Sequence, residues 1–536
     1  MTSPPDPRRG PWSLWRLIAM CYVALLVVSN TVRLIDPPKR VLSPGQLSIS
    51  LPVPGRDAGS DATATVAYRD LGPADAAPIL LVHGTPVASR AVEPLARQLA
   101  AKYRVIVPDM PGFGASEMHI PDYSYATHGV YMQALLDALE ITSVHAVGYS
   151  QGGGVILSLA DQAPERVRSL AMVSAIGVLE LELLGDYHAN RAVYAAQYGL
   201  IVGAKWLLPH FGVLDDMVLS VPYARNLLDS DQRLLRDALE GYAGDMLITH
   251  GRSDGFVPLE AALEHHRLVT RSELVLFDGG HLIPIFEPAR IAAAIVPFID
   301  RVEAGEALFD ATLLAERRQQ AAEPFDWSTV QAFSGIRLAV MLLLLAVATY
   351  VSEDLACIAA GLLVARGMLE FFPAVGACLV GIFTGDVLLY LGGRLFGAAA
   401  VSRAPIRWLV SAERLAQSRA WFERRGAVVL LVSRFVPGTR VPSYVAAGVL
   451  GMSIWRFSAL LLLAGAIWTP LIVGLAWAAG SSALPMIESY QRYGLAIAVG
   501  IAALLWLALR VVLPIFGERG KRWLQVGAAS RQSESR

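Results

Sequence analysis

At 536 residues the chain exceeds one ordinary domain. It is 54% hydrophobic and only 17% charged, where soluble proteins carry about 25% charged residues, so part of it must face lipid. A formal net charge of -1 leaves no global basic field to suggest nucleic acid, and no nucleic-acid partner is expected. The three cysteines, Cys21, Cys357 and Cys378, lie in or beside apolar runs and lack zinc spacing, which argues against a disulfide framework or a metal site.

Residues 1–45 read as a membrane anchor and linker. Within them, residues 14–30 (LWRLIAMCYVALLVVSN) have the length for one crossing. Arg8 and Arg9 ahead of that run also suit a signal peptide, but VRLIDPPKR is a poor cleavage region and favours an uncleaved anchor. Residues 35–60 are rich in Pro, Gly and Ser, as a linker should be.

Across 46–305 short β-rich runs (PILLVHG, YRVIVPDMPG, VHAVGYS, LAMVSAIG, DMLITHG, ELVLFDGG) alternate with amphipathic helical stretches. That alternation predicts a doubly wound, mostly parallel sheet with helices on both faces. Residues 178–240, helical in period and without a strong strand, read as an inserted helical cap. A charged connector, 306–330, leads to a polytopic α-helical membrane domain over 331–518 and a polar tail over 519–536. Within the membrane domain the runs 354–365 and 427–450 are short or broken by Gly, Pro and Arg, and are expected to be re-entrant hairpins.

The sharpest chemical signal is Gly148-Tyr149-Ser150-Gln151-Gly152, set between a strand-like and a helix-like run. A G-x-S-x-G turn in that context lifts the serine oxygen clear of the backbone at a helix N-terminus. Serine needs a base, for which His281 after the last strand is the candidate; Asp254, after the penultimate strand, would orient it. Asp245 and Asp278 compete for that role, the first at the wrong end of its strand and the second in a loop. Oxyanion stabilisation calls for two backbone N–H donors, here Gln151 and Thr85, with His83 and Gly84 shaping the loop. The order Ser, Asp, His, together with HG, DMPGFGAS, GYSQGG, GRSDGFVP and GGH, resembles the α/β-hydrolase superfamily, in its capped esterase, lipase and C–C hydrolase branch. The resemblance implies acyl-enzyme chemistry without a cofactor, and a serine nucleophile argues against dehalogenase or epoxide hydrolase chemistry. Apolar residues of the cap, Tyr187, Tyr194, Tyr198, Trp206 and Phe211, serve equally as cap core or as the wall of an acyl pocket.

In the second half, Glu353, Asp354, Asp386, Arg434 and Arg440 lie in apolar surroundings, where charges usually pair or line a polar path. Acids paired with arginines could hold a phosphate headgroup and exchange protons through Glu353 or Asp386. Arg394 reads instead as an interfacial, snorkelling charge. The pieces GDVLLYLGGRLFG and SRFVPGTRVPSYVAAGVLGM, the acidic pair before AGLLVARG, and Trp468 resemble the DedA family, also called the VTT or SNARE-associated domain. That resemblance implies lipid movement across a bacterial inner membrane, often proton-dependent, with Glu353, Asp354, Arg434 and Arg440 as the functional charges. Adjacent acids depart from the family's usual spacing.

Basic residues in 397–426 and in the tail place those segments, and with them the hydrolase, on the cytoplasmic side; a signal-anchor habit of the first helix would place it outside. The leading expectation is a membrane-bound serine hydrolase acting on a lipid or small ester and coupled to a lipid-translocating domain. The alternatives are a transporter with a non-catalytic regulatory hydrolase-like module, or a C–C bond hydrolase with a membrane anchor. Oligomeric state is not legible.

Overall fold

A computed structural model describes residues 12–35, 41–54, 62–215, 218–306, 309–326, 329–400, 428–434 and 439–488. The last expected apolar run, 493–516, the polar tail and most of the basic 397–426 segment lie outside the described residues. The chain forms two compact units, Met1–Asp326 and Trp327–Arg536.

The first unit opens with helix α1 (Trp12–Ile35). Its stretch Leu17–Ile35 is long and apolar enough to cross a membrane. An eight-stranded sheet follows, ordered β1-β2-β4-β3-β5-β6-β7-β8. Strands β1 (Leu47–Pro52) and β2 (Thr63–Leu71) pair antiparallel at one edge, and β2 joins β4 (Arg104–Pro108) antiparallel. The remaining pairings, through β3 (Pro78–Val82), β5 (Val144–Tyr149), β6 (Val167–Val173), β7 (Asp245–Gly251) and β8 (Ser272–Phe277), are all parallel. Strand β1 falls inside the stretch expected to be linker. Its alternation of small polar and apolar residues, LSISLP, suits an edge strand covered on one face.

Helices α2 (Ser89–Leu99), α3 (Tyr125–Ala138) and α4 (Gly152–Gln162) connect the early strands. Between β6 and β7 the cap contributes α5 (Tyr187–Leu207), α6 (Val221–Asp229) and α7 (Arg233–Gly241). Helices α8 (Leu259–Leu268), α9 (Ile283–Phe286), α10 (Pro288–Glu303) and α11 (Ala311–Ala321) complete the unit. One sheet face is covered by α2 and α10, whose buried residues recur at helical spacing: Val92, Leu95, Ala96 and Leu99 on α2, and Ile291, Ala292, Ile295, Phe298 and Ile299 on α10. Full burial of each large apolar side chain there stabilises the sheet by about 1.5–3 kcal/mol.

The second unit contains α12 (Gly335–Val351), α13 (Glu353–Ala365), α14 (Phe371–Ala400), α15 (Val428–Ser433), α16 (Arg440–Val449) and α17 (Ile454–Glu488). Two stretches in it, Phe371–Leu395 and Ile454–Gly480, meet the length and hydropathy of a membrane span. Helices α14 and α16 pack backbone to backbone: a Cβ on Gly393 would lie 2.2 Å from the Val445 carbonyl oxygen, and one on Gly448 would lie 2.1 Å from that of Tyr390. Small residues that let helices approach are the usual device where lipid offers no hydrophobic drive.

Candidate active site

The turn from β5 into α4 is tight. A Cβ on Gly148 would lie 2.6 Å from the Gly152 carbonyl oxygen, and one on Gly152 would lie 2.4 Å from that of Val82, so only glycine fits at either end. Ser150 between them takes φ +55°, a strained value for a side-chain-bearing residue, and its N–H donates to the Val173 carbonyl at 3.0 Å. The strain raises Ser150 Oγ above the C-terminal edge of the parallel strands.

Loops after β7 and β8 bring the partners to it. His281 Nε2 is 3.0 Å from Ser150 Oγ, and His281 Nδ1 is 2.8 Å from Asp254 Oδ2. The other carboxylate oxygen, Asp254 Oδ1, accepts from the N–H groups of Phe256 and Val257, each at 2.9 Å. Burial by itself would raise the Asp254 carboxyl, but the hydrogen bond from His281, the favourable electrostatics of the neighbouring imidazoles and the Val257 N–H hold it below the ordinary carboxylate range. Asp254 is therefore a fixed anion whose geometry selects the His281 tautomer with the proton on Nδ1, leaving Nε2 to accept.

Of the competing acids, Asp245 starts β7 and pairs with Arg271 at 2.7 Å, and the exposed Asp278 faces Arg252 at 3.7 Å. Neither is bonded to His281. His83 is fully buried; its Nε2 accepts from the Met110 N–H at 3.0 Å and its Nδ1 lies 2.6 Å from the Gly84 carbonyl. Burial lowers its pKa, so it stays neutral and braces the loop. That loop overhangs the nucleophile: a Cβ on Gly84 would lie 2.8 Å from Ser150 Cβ. Thr85 Oγ1 donates to Gln151 Oε1, joining the two residues expected to supply oxyanion donors. Among the described residues, neither the Thr85 nor the Gln151 N–H is taken up by a backbone carbonyl.

Three neighbours escaped the sequence reading. Tyr149 and Phe256 flank the His281 ring, both with centroids at 5.2 Å, and Tyr149 Oη donates to the His281 carbonyl at 3.1 Å. His250 Nε2 lies 3.6 Å from Asp254 Oδ2. Tyr149 and Phe256 each stand within two residues of a triad member, a proximity that could have marked them; nothing in the sequence points His250 at Asp254. A cavity of about 340 Å³ opens beside His281, lined by Ser253, Phe256, Gly280, Leu282 and Phe286 among others. In the cap, Glu182 has its carboxyl pushed up to about 8 by burial, against a lesser opposing contribution from Gln232.

The second unit gathers four of its five expected charges. Arg434 Nη2 is 3.0 Å from Glu353 Oε2 and Arg434 Nη1 is 3.4 Å from Asp386 Oδ2. Arg440 pairs with Glu353 and lies 3.5 Å from Asp386. Asp354 is the exception. It is exposed, because successive residues on a helix point about 100° apart and Glu353 already occupies the inward position. Arg394, expected at the interface, reaches the Met452 carbonyl at 3.4 Å.

The sequence matches the family described as alpha/beta hydrolase fold over residues 77–196 and the VTT domain over residues 351–478. Over 254 residues the chain is 30% identical to a 2-hydroxymuconate semialdehyde hydrolase from Pseudomonas sp. (strain CF600), covering 42% of this chain and 88% of that protein. The chain belongs to the α/β-hydrolase family and carries a VTT domain behind it. The hydrolase unit is also 30% identical over 237 residues to a 2-hydroxy-6-oxo-2,4-heptadienoate hydrolase from Pseudomonas putida, covering 39% of this chain and 83% of that one. Among solved structures, a meta-cleavage product hydrolase from Pseudomonas fluorescens IP01 is 25% identical, covering 47% of this chain and 97% of that one with a TM-score of 0.36. The VTT unit and the apolar helices make this hydrolase a membrane protein.

Proposed function

We propose that the hydrolase unit is a serine hydrolase that cleaves an ester of a membrane lipid or of a small apolar acid through an acyl-enzyme, coupled to a lipid-translocating VTT unit. The observation that carries the reading is the continuous relay from Asp254 Oδ2 through His281 to Ser150 Oγ, at 2.8 and 3.0 Å. Ser150 Oγ attacks the ester carbonyl carbon while its proton passes to His281 Nε2. The carbonyl oxygen, now an oxyanion, is held by the N–H groups of Gln151 and Thr85. Collapse breaks the C–O bond, and the departing alkoxide takes the proton from His281. Water then gives a proton to His281 and attacks the acyl carbon; the second intermediate collapses with cleavage of the Ser150 Oγ–acyl bond, His281 returns its proton to Oγ, and the acid leaves. Asp254 stays ionised throughout and stabilises the imidazolium.

A second reading is favoured by the 30% identity to a 2-hydroxymuconate semialdehyde hydrolase over most of that protein's length. In it the same Ser150 constellation hydrolyses a C–C bond of a dienoate. In the VTT unit, the arginines held between Glu353 and Asp386 would exchange those acids for a lipid phosphate, and protons would move on the acids. The segments around α13 and α15–α16 would enter the membrane and return, and the hydrolase would face the cytoplasm of a bacterial inner membrane.

Fluorophosphonate labelling of membranes carrying wild-type or Ser150→Ala protein tests the nucleophile, since the probe bonds only to an activated serine. Labelling lost in the variant supports the reading; absence of labelling in folded wild-type protein sinks it. Turnover of p-nitrophenyl esters against 2-hydroxymuconate semialdehyde then separates the two substrate classes.

A further inference from the structure

The cap of the hydrolase is bound to the membrane helix by its weakest point, a helix end. The last carbonyls of an α-helix have no intrahelical partner and must be satisfied from elsewhere. At the C-terminus of α5 three of those partners, for the Lys205, Trp206 and Leu207 carbonyls, come from α1. Arg33 Nη1 donates to the Lys205 carbonyl at 2.6 Å, Asn30 Nδ2 donates to that of Trp206 at 3.1 Å, and Tyr22 Oη donates to that of Leu207. The chain leaving α5 is held in turn, with Ser29 Oγ accepting from the N–H groups of His210 and Phe211 at 3.1 and 3.0 Å. Tyr22, Ser29, Asn30 and Arg33 recur at helical spacing, so an otherwise apolar membrane helix devotes one face to the cap.

Around this junction the cap shows apolar side chains that α1 leaves uncovered. Leu200, Trp206, Leu207, Leu208, Phe211 and Val213 are all exposed, Leu207 by 62% and Val213 by 83%. The charges form one cluster at the end of α1: Asp215 lies 3.6 Å from Arg33 and 3.2 Å from Lys205. A charge cluster, exposed apolar side chains beside it and capped backbone groups together fit an element lying in a membrane interface, where unsatisfied backbone is costly.

We propose that the lip formed by Leu200 and residues 206–213 of the cap is seated in the lipid bilayer, in the leaflet that α1 enters beside Arg33. The occupant of this surface is the acyl-chain layer of a phospholipid membrane, and the first membrane helix is a structural part of the cap rather than a tether. The inference holds whether or not Ser150 is the nucleophile, since it rests on α1 and the cap alone.

The test uses the full chain in phosphatidylcholine–phosphatidylglycerol vesicles, with Cys21, Cys357 and Cys378 replaced by serine and a fluorophore attached at Leu207→Cys or Val213→Cys. Brominated acyl chains are expected to quench both positions at least twofold, and aqueous iodide to quench neither; Asp137→Cys, on α3, should respond in the opposite way. Quenching of the lip by iodide alone overturns the proposal, because the surface then faces water. Protection from both quenchers overturns it too, because a protein then covers the lip. An unsubstituted check is carbene photolabelling of the wild-type chain with a lipid-dissolved diazirine, where an unlabelled 200–213 peptide would also refute the seat in lipid.

Discussion

His281 Nε2 stands 3.0 Å from Ser150 Oγ, across 131 positions of sequence. Two loops from separate strands meet there within hydrogen-bond reach, which sets the first expectation. Ser150→Ala should abolish ester turnover and fluorophosphonate labelling without lowering the melting temperature, whereas His281→Ala should abolish both and also lower the melting temperature, because it leaves the buried Asp254 carboxylate without its 2.8 Å partner. Asp254→Asn should lower kcat by about ten-thousand-fold, as expected when the base loses its orienting anion. Steady-state kinetics with a p-nitrophenyl ester checks all three, and an Asp254→Asn enzyme within tenfold of wild type would remove Asp254 from the relay.

The elbow leaves no room at Gly152, where a Cβ would lie 2.4 Å from the Val82 carbonyl and 2.7 Å from that of His83. Gly152→Ala should destabilise the hydrolase unit by about 1–3 kcal/mol through overpacking. It should also lower labelling by displacing Ser150. Thermal melts and labelling stoichiometry on the same preparation check this; an unchanged variant would mean the turn relaxes freely.

Glu182 supplies a pH test. Its folded pKa, about 8, stands above the ordinary 4.5. Above pH 8 the carboxyl is ionised in both states and the cost of burying the charge is carried in full. As pH falls from 8 towards 4.5 the folded state alone takes up the proton, so this group makes folding more favourable. The wild-type hydrolase transition should melt higher at pH 5 than Glu182→Gln would suggest from its own behaviour at pH 8.5. Melting temperatures of the two proteins across that range give the difference; parallel curves would show that Glu182 is solvated.

In the VTT unit, Arg434 is fully buried between Glu353 and Asp386. Arg434→Ala leaves two carboxylates to Arg440 alone and should cost about 3–5 kcal/mol, the usual effect of breaking a buried pair from one side. Arg434→Ala combined with Asp386→Asn should recover part of that stability while leaving lipid translocation lost. Thermal stability in detergent and a vesicle flip assay read the two effects separately, and a transport-competent double variant would make the cluster purely structural.

The grouping of Ser150, Asp254 and His281 was legible because it is set by local turns after strands. Gly148 and Gly152 announce a sharp elbow, and the order of Ser150, Asp254 and His281 follows the strand order. What was not legible depends on long-range packing. Strand β1 hides in a Pro- and Gly-rich stretch because an edge strand needs only one covered face. The pairing of His250 with Asp254 and the capping of α5 by α1 leave no periodic trace, since each joins residues through the fold alone. In the membrane half the charges were visible as a set, but helical geometry decided the membership: Glu353 turns inward, and Asp354, one residue on, turns out.

If Ser150 and His281 act together as proposed, their separation also sets when the site can first react. At about 5–20 residues per second, a ribosome needs roughly 7–26 s to extend the chain by the 131 positions from Ser150 to His281. Under the proposed relay, the nascent chain carries Ser150 without its base throughout that interval. The cap is translated in the same window, with α1 already made. On the proposed mechanism, the cover over the site is therefore available before the site can react.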